Sequence, residues 1–122
     1  MDLNEYQKQA MTTCMPSCDN FSYMFLNLVG EVGEFASKVA KAIRKGQMNI
    51  GGDFAANVLS VDRIEVHRLM EELQKEAGDI LWQLSGLCEV MGWTLEEVAQ
   101  QNLDKLASRK ERNVIDGNGD NR

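Results

Sequence analysis

Proline occurs only once in the 122 residues, at Pro16. Its ring and missing N–H break helices, so every segment after Pro16 is free to be helical. Apolar residues recur there at steps of three and four over long stretches, while strand-like alternation is scarce. Together these features predict an all-α, four-helix-bundle-like chain forming a single domain over 1–122.

A short first helix is expected over residues 3–13, with Leu3, Tyr6, Ala10 and Met11 on its apolar side. Asp19 or Asn20 can cap a second over 21–45, which stops at Gly46. Its seam is Leu28, Val32, Phe35, Val39 and Ile43. Residues 46–61, with Gly46, Asn49, Gly51, Gly52 and Asn57, read as a loop insertion carrying a short helical turn near Phe54 to Leu59. Asp62 and Glu65 resemble a capping box for a third helix running to about Met91. Its seam is Leu69, Leu73, Ala77, Ile80, Leu84, Leu87 and Met91, and Gly92 closes it. Thr94 and Glu97 form a second box, opening a helix to Glu111, and Trp93 can staple onto Val98. The glycine-rich tail, 113–122, is expected to be mobile or ordered only by ligand.

Charge narrows the partners. Lysine plus arginine number 13 against 19 acidic residues, a net charge of −6 and the wrong sign for a nucleic-acid binder. A small phosphorylated ligand stays compatible, because bound cations reverse the local field. No apolar run nears the ~18 residues of a membrane span, and the acidic start at Met1 to Glu5 is unlike a signal peptide. Cys14, Cys18 and Cys88 are an odd number without framework spacing, which fits reduced thiols in a cytoplasmic protein. Cys14 and Cys18 lack the second Cys/His pair that a zinc site needs.

One acidic pattern occurs twice. Glu31 and Glu34 each precede a seam residue of the second helix, and Glu76 and Asp79 do the same on the third. Such positions lie roughly 50° off the seam, at the edge of the buried stripe. If the two seams pack together, four carboxylates converge. They must then protonate, push the helices apart or bind a cation. Oxygen ligands suit Mg2+, with Mn2+ as a substitute. The alternative is a solvated acidic flank, which any amphipathic helix carries. Gly30, Gly33 and Gly78 sit beside the carboxylates. Each costs a helix interior about 1 kcal/mol against alanine, which close approach of a helix or ligand would justify. Lys38 continues the polar edge four residues after Glu34 and is a candidate phosphate contact.

On the fourth helix Asn102, Lys105 and Arg109 are spaced three and four apart. They form one stripe that is either a phosphate grip or an ordinary exposed face. His67 reads as exposed or structural, and Trp82 and Trp93 as core or interface residues. No serine or cysteine has a credible histidine partner and no Walker-type loop is present, which sets aside triad and P-loop chemistry.

The run Leu28-Val29-Gly30-Glu31-Val32-Gly33-Glu34-Phe35, followed by Glu76-Ala77-Gly78-Asp79-Ile80-Leu81-Trp82, resembles the MazG-like nucleotide pyrophosphohydrolases. Their hallmark is E-x-x-E on one helix and E-x-x-D on the next. Gly92 to Val98, then Asn102-Leu103-Asp104-Lys105-Leu106 and Arg109, is similar to that family's last helix. The ending Gly117 to Arg122 is similar to a tail of some compact members, so the likeness covers about residues 20–122. It implies an all-α NTP pyrophosphatase fold completed by oligomerisation, as a homodimer or homotetramer. It also implies magnesium held by Glu31, Glu34, Glu76 and Asp79, a nucleoside triphosphate substrate, and Lys105 and Asn102 toward the phosphates. One departure is the longer gap from Glu34 to Glu76, made by the insertion at 46–61. That insertion has room to cover a nucleotide or to build an oligomer contact.

The implied reaction is attack of water at the α-phosphorus with release of pyrophosphate. Glu34 would orient or deprotonate the water, turnover would require Glu76, and Lys105 and Arg109 would offset charge on the leaving group. Three rivals stay open. One is a non-catalytic helical module that dimerises through its seams. Another is a di-iron bundle, which normally adds E-x-x-H motifs where this chain has Ile64 three before His67. The third is a relative of dimeric dUTPases or phosphoribosyl-ATP pyrophosphohydrolases.

Overall fold

The computed structural model describes every residue except 54, 55 and 60. Helix α1 (Leu3–Met11) starts at Asp2, whose carboxylate accepts from the Glu5 amide while Glu5 reaches back to the Asp2 N–H. It ends short of residue 13 because Thr12 and Thr13 turn their hydroxyls onto the Gln9 and Ala10 carbonyls. A 3-10 turn at Pro16–Cys18 leads to α2 (Phe21–Arg44), where the Asn20 side chain accepts from the Tyr23 amide. Lys41 and Arg44 lie in its last turn, at the negative end of the helix dipole. Gly46, at φ +73°, takes the chain out of the helix.

The insertion departs from the expected loop and helical turn. Met48–Ile50 (β1) and Ala56–Val58 (β2) pair antiparallel, with Met48 opposite Val58, Asn49 opposite Asn57 and Ile50 opposite Ala56. Of the expected turn, Phe54 and Ala55 lie outside the described residues, and Asn57 and Val58 are strand. Strands of three residues are too short to show alternation in a sequence. What fixes this hairpin is burial, since Met48 is enclosed and Val58 packs on the same cluster. Helix α3 (Arg63–Val90) is capped by Asp62, and Glu65 takes the side-chain amide of Gln47, tying the hairpin base to α3. Helix α4 (Leu95–Glu111) follows Gly92, and its Thr94–Glu97 capping box forms as expected.

Met24 meets Gly86 at one end of the α2–α3 pair, and Ala42 meets Leu69 and Leu73 at the other, so the two helices run antiparallel. The hairpin end holds the core: Ala42, Met48, Leu69 and Leu73, with Phe35, Val39 and Val58 against them. Burying a side chain such as Leu or Met there contributes roughly 1.5–3 kcal/mol. At the opposite end Gln7 is buried. It donates to the Glu89 carboxylate and the Trp93 carbonyl and accepts from the Leu95 N–H at 2.6 Å. The Trp82 indole N–H reaches the Ala10 carbonyl at 3.1 Å and the Thr13 hydroxyl at 3.0 Å, pinning the end of α1. No described helix is long and apolar enough to cross a membrane.

The seams are rotated from those expected. Val32 and Ile43 are 50% and 42% exposed, while Met24 and Ala42 are buried. The inner stripe of α2 is therefore Met24, Leu28, Glu31, Phe35, Val39 and Ala42. On α3 Ala77 and Met91 face solvent, and the stripe is Leu69, Leu73, Glu76, Ile80, Gln83 and Leu87. Each stripe contains a glutamate.

Candidate metal centre

That rotation brings acids from both helices together. Glu31 on α2 and Glu76 and Asp79 on α3 each place a carboxylate oxygen within 4.8 Å of the others. Oxygen ligands about 2.1 Å from a magnesium ion stand up to about 4.2 Å apart, so small rotamer changes close the set. The Glu76 side chain is only 15% exposed, and Lys38 Nζ lies 3.5 Å from its Oε1. Burial pushes the Glu31 carboxyl above its ordinary value, and the charges of Asp79, Glu76 and Glu34 push the same way. A hydrogen bond from Asn27 opposes them. An excess of negative charge with one lysine beside it is what a divalent cation relieves. Among the described residues no histidine or cysteine joins such a group, and Cys14 and Cys18 are free thiols.

Three of the four expected ligands thus come together. Glu34 stands outside the set, exposed, yet near enough for its charge to act on Glu31. Lys38, expected as a phosphate contact, pairs with Glu76. The α4 residues make contacts of their own on a helix that packs on α1 and α3. Asn102 is exposed. Lys105 and Arg109 both meet Oδ1 of Asp120, at 3.2 and 3.1 Å, and Arg109 also donates to the Gly119 and Asp120 carbonyls. Hydrogen bonds from Lys105 and Arg109, with their charges, hold the Asp120 carboxyl below its ordinary range. Arg109 is 5% exposed and committed to this contact.

The tail expected to be mobile is therefore folded back by the chain's own groups. Arg122 donates to the carbonyls of Val114 at 3.0 Å, Ile115 at 3.2 Å and Gly119. Gly119, at φ +77°, supplies a turn that other residues rarely make. His67 is exposed and pairs with Glu71, consistent with a structural place.

Asn27, Tyr6 and Tyr23 also belong to the site. Asn27 donates to the Tyr23 hydroxyl at 3.4 Å and stands four residues before Glu31, a spacing that marks a shared face. Tyr6 arrives from α1, its hydroxyl pKa raised by burial and by the charge of Asp79. No local spacing signals that approach. Of the two reasons expected for the glycines, the structure bears on the approach of a helix. A Cβ at Gly33 or Gly78 would meet nothing within 4 Å, and at Gly30 only Asn27 Oδ1 at 3.5 Å. Among the described residues no other helix presses on them, and they leave the space beside the carboxylates open.

The fold and site define an all-α protein with a carboxylate cluster shared by two antiparallel helices. The family model of the MazG nucleotide pyrophosphohydrolase domain matches residues 20–114, and the chain belongs to that family. This is the family that the two acidic motifs resemble. The chain is also similar to the Gene 37 protein of Mycobacterium phage L5, a name that states no activity. The two are 38% identical over 106 residues, covering 87% of this chain and 80% of that relative. No solved structure matches the chain.

Proposed function

We propose that this protein hydrolyses nucleoside triphosphates to the monophosphate and pyrophosphate, using magnesium, with manganese as a substitute. The observation that carries the proposal is the convergence of Glu31, Glu76 and Asp79 within a chain of this family. These three would hold a divalent cation, which would supply the charge that polarises a phosphoryl oxygen. Glu34, outside the set and exposed, orients or deprotonates the water that attacks the α-phosphorus. Lys38, beside Glu76, contacts the phosphates. Asn102, exposed on α4, meets the nucleotide from a second copy of the chain, and Lys105 does so on exchanging Asp120 for phosphate, while Arg109 anchors the tail.

The outer face of α2 favours that second copy. Phe21, Phe25, Val29 and Val32 are each about half exposed there, and the rings of Phe21 and Phe25 stack at 5.9 Å. An apolar stripe of this kind suits burial in a homodimer or homotetramer.

The test is pyrophosphate release from a panel of ribo- and deoxynucleoside triphosphates, with magnesium and with chelator. Glu76→Gln should abolish release while circular dichroism shows the fold intact, and unchanged turnover would remove this site from consideration. Release from no triphosphate would favour a non-catalytic helical module.

A further inference from the structure

A cleft of ≈ 540 Å³ runs between α2 and α3, from Glu34 to Gln47 at the base of the hairpin. That volume falls within the range of small-molecule sites, roughly 300–1,000 Å³. Its lining inverts the charge of the molecule. In a chain of net charge −6, the cleft gathers Lys38, Lys41, Arg44, Lys45 and Arg68 against Glu34, Glu65 and Glu72. Five cations face three carboxylates, a local surplus of positive charge.

Lys38 and Lys41, three apart on α2, and Lys45, its C-cap four further on, line one side of the cleft, and Arg68 on α3 lines the other. Among the described residues none of Lys41, Arg44, Lys45 and Arg68 is ion-paired. The helix dipole accounts for cations in the last turn of α2. It accounts neither for Lys38, further inside the helix, nor for Arg68 on α3. Unpaired like charges held in one concavity repel each other, and an anion with more than one negative charge relieves that repulsion. Lys38 joins the cleft to the carboxylate set, because it lines the one and lies 3.5 Å from Glu76 in the other.

We infer that this cleft holds the diphosphate end of the substrate, gripped by Lys38, Lys41, Lys45 and Arg68, with the scissile α-phosphate left at the carboxylates. The inference rests on the proposed activity for its reason, but its test does not depend on turnover. The leaving group then departs into a basic channel instead of back across an acidic surface.

Inorganic pyrophosphate is the probe, titrated calorimetrically into the full chain with Mn2+, alongside Mn2+ alone. Lys41→Ala and Arg68→Ala, both at exposed positions, should each weaken pyrophosphate binding about tenfold or more, as loss of a charge-assisted hydrogen bond does. Both variants should keep the Mn2+ affinity of the wild type. Lys75→Ala, exposed and outside the cleft, should change neither quantity. The assignment is overturned by a wild-type chain that binds no pyrophosphate, by Lys41 and Arg68 variants that behave like the Lys75 variant, or by an equal fall in Mn2+ affinity. A chain that turns over no triphosphate, yet loses pyrophosphate binding with Lys41 or Arg68, upholds the cleft and ends the proposed activity alone.

Discussion

Met24 lies directly over the bare backbone of Gly86. A Cβ at that glycine would collide with the Met24 Sδ and stand 2.6 Å from its Cε. The end of a methionine ordinarily swings aside, but Met24 is fully buried and has nowhere to go. Gly86→Ala gains about 1 kcal/mol of helix propensity and loses typically 1–3 kcal/mol to overpacking, so it should lower the urea midpoint. Gly78→Ala meets nothing and should raise stability by up to about 1 kcal/mol. If the open space beside Asp79 serves the nucleotide, the same variant should slow turnover while melting higher.

Gln7 is the second position where one side chain decides much. Gln7→Ala or Gln7→Leu leaves the Leu95 N–H buried without its acceptor and removes the donor to Glu89 and Trp93. Stranding a buried donor costs about 1–3 kcal/mol. The leucine variant should remain destabilised although it fills the space, and urea melts of both variants will show it.

The carboxylate set predicts an inverted pH response. The Glu31 carboxyl titrates above its ordinary 4.5 in the fold, chiefly from burial and then from its acidic neighbours. The folded chain therefore binds the proton more tightly than the unfolded one. Its contribution to stability is complete below the ordinary value and is lost as pH rises through the folded one. Melting temperatures taken in chelator should fall across that window, and Glu31→Gln should flatten the fall. Magnesium at a hundred times its dissociation constant should stabilise the wild type by about 2.7 kcal/mol.

Asp120 predicts the opposite sign. Its carboxyl is held below the ordinary 3.8 by Lys105 and Arg109. Docking of the tail is therefore complete above that value and is lost as pH falls through the folded midpoint. A carbon-detected NMR titration should place the Asp120 midpoint below 3.8. Lys105→Ala should move it upward.

The two long helices and the Thr94–Glu97 start of α4 are legible in the chain because each rests on local signals: uninterrupted periodicity and a cap. The rotation of the α2 seam is not. Val32, with Phe25 and Val29, belongs to a second apolar stripe, and a helix with two such stripes has no unique inner face in one chain's sequence. The acidic pairs are legible, yet the entry of Glu31 and Glu76 into the seams depends on which stripe α3 takes. Arg109 reads as one of a polar row, because its burial is supplied by a tail that returns ten residues later. The hairpin at Met48 and Val58 is equally a matter of tertiary burial and carries no period of its own.

The carboxylate cluster lies between the Met24–Gly86 contact and the core cluster at Ala42 and Leu69, about 10 Å along α2 from the first and about 16 Å from the second. The helix pair is thus a span fixed at two abutments, with open glycines at its middle. The distance between Glu31 and Glu76 is set by the stiffness of two rods and the seating of their ends. Damage at either abutment, the hairpin included, will change the bite angle offered to an ion long before it melts the chain. Selectivity among cations of different radius is the property most exposed to mutations that touch no ligand.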